Sequence, residues 1–436
     1  MLRGILDRTA ERVGKEMTNQ PAVEAELRSL IGRLYFDIGI YDRAEAMHRE
    51  RWRSTGSYAL GFTGKLEEAE SLEREALVMQ RKLLGDENPA VAATLASLGD
   101  RMRQRGNLTE AETVSSAALS VQRKVLGETS PAVMYSLGSL GRTLEDQGKW
   151  VEAESAYREA LALWRKQGGN ESPQALSGLE GVTRVLMAQK KFGDAEQLLD
   201  ETLTAAFVKQ PSSADLLALR VDLKARCGQW EEAAAAAALA FEHDPSHDTR
   251  FPMLAALLVK TQNRLAYEQL RKRLLTTFAS TTNFYVADQV AKSCLFLPSS
   301  EADSKVIGHL ADTAVTHGIG DRTAMPYFQD CKALSEYRQG HYAEAVEWAQ
   351  KPLKIPGIYV HGHAYAVLAM AYWRLEKRDE ARAMLAKGAT MAPPIMPLSI
   401  AEDPGNAWLA WLFARIQLDE ATALIQPGST TDGNSP

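Results

Sequence analysis

One seven-residue phrase recurs along the chain and decides what it can fold into. It reads GIYDRAE from Gly39, GKLEEAE from Gly64, GNLTEAE from Gly106, GKWVEAE from Gly148, GQWEEAA from Gly228 and GHYAEAV from Gly340. KKFGDAE from Lys190 lacks the glycine, and EKRDEAR from Glu376 lacks both glycine and aromatic. Glycine takes the left-handed conformation that ends a helix, and the large residue two positions on packs into the turn. Glu or Asp then opens a second helix at the positive end of its dipole. The alanine that follows is small because two helices cross there.

The spacing of that alanine sets the period. Ala69, Ala111, Ala153 and Ala195 are 42 residues apart, Ala233 follows at 38, and Ala345 and Ala381 are 36 apart. Ala76, Ala118, Ala160 and Ala240 repeat the small position two helical turns further on. Small residues stand seven before the turn glycine at Gly32, Gly99 and Gly141, with Tyr35 or Tyr372 three later in two copies. LLGDENPAVA from Leu83, VLGETSPAVM from Val125 and KQGGNESPQAL from Lys166 each supply a glycine stop, a polar cap and a proline at the next helix start. The chain therefore reads as helix, tight turn, helix, capped loop, repeated.

These residues resemble the tetratricopeptide repeat (TPR) family, and the 42-residue period with its LG-x-x-x-P linker resembles the kinesin-light-chain-like subgroup. Good copies run from about Val23 to Asp244 and weaker ones from Tyr327 to Lys387. The resemblance implies an all-α fold, a right-handed superhelical solenoid of about ten helix-turn-helix pairs, and a role in binding protein or peptide partners. The expected organisation is an N-terminal capping helix over 1–22, regular repeats over 23–245 and divergent helical pairs over 246–325. TPR-like repeats over 326–390, a C-terminal capping helix over 391–426 and a disordered tail over 427–436 complete it.

Only 25 residues separate Ala44 from Ala69, so a helix is truncated or merged there, with an irregular stretch at Arg51 to Phe62. Between Thr249 and Asp321 the alanine register fades, yet Leu254, Leu257, Leu258, Leu265, Leu270, Leu274 and Leu275 keep a helical period. Pro298 to Glu301 and Gly318 to Asp321 read as loops. Leu2, Leu6, Val13 and Met17 form a stripe on the first helix, and Trp408, Trp411, Leu412 and Ile416 a face of the last, as caps require.

Composition narrows the function. The 50 basic and 56 acidic residues give a net charge of -6, which supplies no electrostatic attraction for nucleic acid. No run of eighteen apolar residues spans a membrane, and the N-terminus lacks the pattern of a signal peptide. The three cysteines, Cys227, Cys294 and Cys331, form no CxxC pair and read as reduced core thiols. A cytoplasmic location follows; the sequence leaves the oligomeric state open.

No catalytic signature emerges: GxSxG, HExxH and Rossmann glycines are absent, so the chain reads as non-enzymatic, without cofactor or metal. Gly64-Lys65 fails as a phosphate loop because Ala59 and Leu66 stand at two of its essential positions. His361 and His363, with His341, read as polar packing or capping, since no acid or thiol is in reach along the sequence. His243 and His247 flank Pro245 in a surface turn. Trp150, Trp230 and Tyr342 occupy the turn position that packs between helices, which outweighs an aromatic cage.

In a TPR solenoid the first helices line the concave face, so the candidate partner-binding row is read from their register. It comprises Asp100, Arg103, Gln104, Tyr135, Arg142, Glu145, Asp146, Glu180, Arg184, Asp222 and Arg226. The kinesin-light-chain-like relatives use asparagine at a neighbouring position to clasp a peptide backbone. Ser97, Ser139 and Gly181 stand there in this chain, so that clasp does not carry over.

A second resemblance is to the repeat region of bacterial transmembrane serine/threonine kinases. It is carried by the run from Leu6 through DIGIYDRAEAM, by ALSEYRQGHYAEAVEW from Ala333 and by NAWLAWLFARIQLDEATALI from Asn406. It implies a regulatory or sensor region, placed beyond a membrane if the likeness holds in full. The kinase motifs themselves are absent, and His48-Arg49-Glu50 is no substitute for HRD.

Overall fold

The computed structural model describes residues 2–16, 84–245, 250–355, 361–394, 396 and 407–427, with scattered positions within 27–35 and 70–82. Among the described residues every regular element is a helix, as the all-α repeat reading requires. The phrase at Gly39, that at Gly64 except its last residue Glu70, the shortened interval from Ala44 to Ala69 and residues 428–436 of the tail lie outside them. The chain divides into two compact units, Met1–Val185 and Leu186–Pro436.

The first unit holds α1 (Leu2–Glu16), α2 (Pro89–Gln104), α3 (Leu108–Leu126), α4 (Pro131–Asp146), α5 (Trp150–Gly168) and most of α6 (Pro173–Ala188). In the second are α7 (Phe192–Thr202), α8 (Ala214–Arg226), α9 (Trp230–His243), α10 (Arg250–Lys260), α11 (Arg264–Phe278), α12 (Phe284–Leu295) and α13 (Glu301–His317). They are followed by α14 (Met325–Gln339), α15 (Tyr342–Gln350), α16 (His361–Arg374), α17 (Arg378–Met391) and α18 (Ala407–Ile425). Within each unit consecutive helices pack as antiparallel hairpins, first helix against second.

The turn inside each hairpin is one motif repeated. At Gly106 the backbone is left-handed (φ 82°), its N–H bonds to Arg103 O, and the next N–H, of Asn107, bonds back to Met102 O. The same two bonds close the turns at Gly148, Lys190, Gly228, Gln262, Gly340 and Glu376. This is the Schellman arrangement, which satisfies carbonyls that the helix end leaves open. Lys190, Gln262 and Glu376 hold φ of 62°, 55° and 61° without being glycine. The turn at Gln262 explains why the register fades after Thr249. Tyr267 fills the alanine position there, fully buried, and Arg264 fills the aromatic one.

The crossing alanines behave as their size requires: Ala111, Ala153, Ala195, Ala233, Ala345 and Ala381 are all wholly buried. Pro89 and Pro131 sit at the first positions of α2 and α4, where a missing N–H costs nothing. In the first unit Leu6 and Val13 of α1 are buried, and Asp7 accepts a 2.7 Å bond from Tyr35 Oη. The side chains of Leu2 and Met17 lie outside the description.

Three expectations change. Leu265 is periodic with its neighbours yet 72% exposed, because it stands in the first turn of α11 on the side away from the core. Cys227 is exposed and only Cys294 and Cys331 are core thiols, since Cys227 directly precedes the turn at Gly228. Helix α18 also reaches further than a terminal cap. It packs on the last hairpin, α16 and α17, but also on α10, and touches α8 and α14. Besides Trp408, Trp411 and Leu412 it buries Leu418, Ala421 and Ile425, and a helix apolar on so many sides is enclosed rather than laid on an end.

Candidate functional site

In the first unit the candidate row becomes a ladder of polar contacts between successive first helices. Arg103 of α2 reaches Asp146 of α4 at 2.8 Å, and Asp100 accepts from Ser139 and faces Arg142 at 3.8 Å. From α6, Arg184 grips Glu145 with Nε at 3.0 Å and Nη2 at 3.3 Å. Tyr157 Oη of α5 donates to the same carboxylate at 2.7 Å. Burial, reinforced by that carboxylate, holds the Tyr157 phenol well above its usual range. Burial disfavours the Arg184 cation, but the bond to Glu145 outweighs it and raises the guanidinium's value. Surface pairs of this kind contribute about 0–1 kcal/mol each, so the ladder sets register more than stability.

Tyr157 was not legible as a site residue, although two glycines announce it. A Cβ at Gly141 of α4 would lie 2.8 Å from the Tyr157 ring, and one at Gly181 of α6 would lie 2.7 Å from it. The ring is thus clamped between two first helices, and its hydroxyl fixes Glu145 and through it Arg184. What remains open on this face is Tyr135, 58% exposed and edge-on to Trp164 at 5.0 Å, together with the exposed Gln104 and Arg142. Asp146 is exposed as well, while Asp100, Arg103, Glu145, Glu180 and Arg184 are half-buried.

Asp222 and Arg226, the members of the row in the second unit, are placed differently. Arg226 is buried and bonds to Asp222 Oδ1 at 3.0 Å. That oxygen also accepts a 2.5 Å bond from the Trp408 indole of α18. Asp222 is therefore engaged with the chain's own last helix, and Arg226 is held by Asp222.

The second unit also buries a polar cluster on α12, α14 and α16. Lys292 Nζ lies 2.9 Å from Asp288 Oδ2, Cys331 Sγ faces Asp288 O at 3.8 Å, and Asp330 Oδ2 lies 2.6 Å from His363 Nδ1. Burial pushes the Asp288 carboxyl above the usual carboxylate range, against the pull of Lys292. An acid is thus in reach of His363, contrary to the reading along the sequence, because a neighbouring first helix supplies it. His341 pairs with Glu336 at 2.7 Å and His361 faces Ile355 O, both local contacts, while His243 faces Val208 O, 35 residues earlier in the chain. Among the described residues no group of three or more His, Cys, Asp or Glu is arranged to hold a metal ion.

Hairpins closed by identical turns and stacked first helix to first helix define a helical-repeat protein. Family models described as tetratricopeptide repeat match residues 102–166, 133–206, 52–90 and 362–394. Over the described parts of these segments the chain resembles tetratricopeptide repeats. No curated protein matches it. Solved structures with similar folds include the kinesin light chain nearly identical TPR-like repeats of Podosopora anserina, 20% identical, covering 50% of this chain and 95% of that one at a TM-score of 0.40. A tetratricopeptide repeat protein of Parabacteroides merdae is 16% identical over 60% of this chain and 94% of its own, TM-score 0.41. BtubC (BKLC) of P. vanneervenii is 16% identical over 56% and 89%, TM-score 0.39. Likenesses of this size leave the identification to the repeat matches.

Proposed function

We propose that this chain is a protein-interaction scaffold whose partner, a protein or peptide carrying both charge signs, docks on the first-helix face of the first unit. The observation that supports this most is on α4. Tyr135 and Arg142 stand two turns apart on one side of that helix, the tyrosine exposed and the arginine 45% exposed with its carboxylate partner no nearer than 3.8 Å. Tyrosine and arginine are the residue types that most often dominate binding energy at interfaces. The half-buried Glu145 and Arg184 hold the neighbouring helices in register beside them.

The test is capture of partners with the full chain and with Tyr135→Ala and Arg142→Glu. Neither side chain is in the core, so circular dichroism should be unchanged while captured partner falls at least tenfold. Equal capture by both variants refutes this face as the docking site. Arg184→Glu should also abolish capture, but with some loss of stability because it frees Glu145 and Tyr157.

Among the described residues no helix is long and apolar enough to cross a membrane, and the three cysteines are unpaired. Free thiols support the cytoplasmic reading. The kinase-linked reading rests on the runs of sequence alone, and none of the repeat matches bears on it.

A further inference from the structure

The polar and aromatic contacts of α18 are those of a bound helix rather than of a lid on the last hairpin. Near its start, Trp408 donates to Asp222 of α8, and Trp411 stacks on Trp230 of α9 with ring centroids 6.1 Å apart and 19° between planes. In its middle, Phe413 meets Phe296, just past α12, at 5.1 Å. Near its end, Glu420 takes a two-pronged grip from Arg338 of α14, one prong at 2.6 Å. Arg338 is itself aimed by the Leu295 and Phe296 carbonyls, each at 3.2 Å. Close approach is built in from the other side: a Cβ at Gly388 would lie 2.6 Å from Leu418, and one at Gly362 would lie 3.1 Å from Ala414.

We infer that helices α8, α9, α10, α14, α16 and α17 of the second unit form a receptor for a helix, and that α18 is its resident ligand, closing this face to outside partners. The receptor reads an indole N–H through Asp222, a second indole three residues on through Trp230, and a carboxylate twelve residues after the first indole through Arg338. This goes beyond the docking proposal for the first unit and stands without it.

Burial and polar cost pull in opposite directions here. Gln417 is wholly buried with neither side-chain polar atom partnered, and both atoms lose their water without a replacement bond. Against this, five large apolar side chains, Trp408, Trp411, Leu412, Leu418 and Ile425, leave water entirely or nearly so. The apolar gain is the larger, so α18 stays seated.

The experiment places a protease site within residues 397–406 of the full chain and cleaves it. After cleavage the fragment carrying α18 should co-elute with the body on size exclusion at micromolar concentration. Glu420→Arg should release it, and Arg338→Glu combined with Glu420→Arg should restore retention, which a merely space-filling helix would not do. Loss of the fragment from the unaltered chain overturns the inference, whether the body stays folded or not. Retention indifferent to both Glu420→Arg and Trp408→Phe overturns it equally. Partner capture by the first unit is read separately, so failure here leaves that proposal standing.

Discussion

Gly141→Ala isolates the clamp on Tyr157. In the interior of a helix, alanine in place of glycine ordinarily stabilises by about 0.5–1 kcal/mol. At Gly141 the new methyl lies 2.8 Å from two ring carbons of Tyr157, inside the ~3.5–4.0 Å at which carbons attract. The ring has little room to retreat, because Gly181 approaches it so closely that a Cβ there would also lie 2.7 Å from it. Overpacking of this kind costs about 1–3 kcal/mol, so the net change is a loss of up to about 2.5 kcal/mol. Gly138→Ala, on the same helix, is the control. Its nearest atom is the far end of Arg142 at 4.0 Å, and it should gain the full propensity term. Urea and thermal unfolding followed by circular dichroism give the comparison, and the two variants should differ by about 1–3 kcal/mol. In a Tyr157→Ala background the penalty at Gly141 should vanish, a coupling that a double-mutant cycle reads directly. If Gly141→Ala stabilises as much as Gly138→Ala, the clamp does not hold Glu145 and Arg184 in place.

Three further outcomes follow from the geometry. Gln262→Gly and Glu376→Gly should each raise stability by about 1 kcal/mol by removing a strained left-handed side chain, and Gly148→Ala should lower it by a similar amount in the same melts. Burial raises the Glu336 carboxyl, but hydrogen bonds from Lys332 and His341 outweigh it and hold the group below its ordinary value. Its contribution is therefore present above ~4.3 and lost as pH falls through the lowered value, so Glu336→Gln should destabilise at neutral pH and match the parent in acid. Burial pushes the Cys294 and Cys331 thiols up and encloses them, so a thiol reagent should titrate one cysteine, Cys227, in the native chain and three after unfolding.

The hairpins were legible because their chemistry is local. A left-handed turn favours glycine and a close helix crossing favours alanine, and both recur at fixed offsets within a few residues of each other. Where a turn keeps its backbone but exchanges both signals, as at Gln262 with Tyr267 in the crossing, nothing along the sequence marks it. The row of first-helix positions was readable for the same reason, since register alone places Arg103 opposite Asp146 and Arg184 opposite Glu145. Asp222 and Arg226 fit that register equally well, and no local feature separates them from the others. The bond from Trp408 to Asp222 joins residues 186 apart in the chain, a distance at which a repeat pattern carries no information. His363 is a smaller instance: its acid, Asp330, comes from the preceding first helix rather than from its own neighbourhood.

Hydrogen exchange on the full chain, with and without a captured partner, tests most directly how the two faces divide the work. Partner binding should slow exchange over residues 131–146 and 173–184 and leave 407–425 unchanged. Slower exchange across the first helices of the second unit, with α18 exchanging faster, would show that the partner enters where α18 sits and would contradict the account.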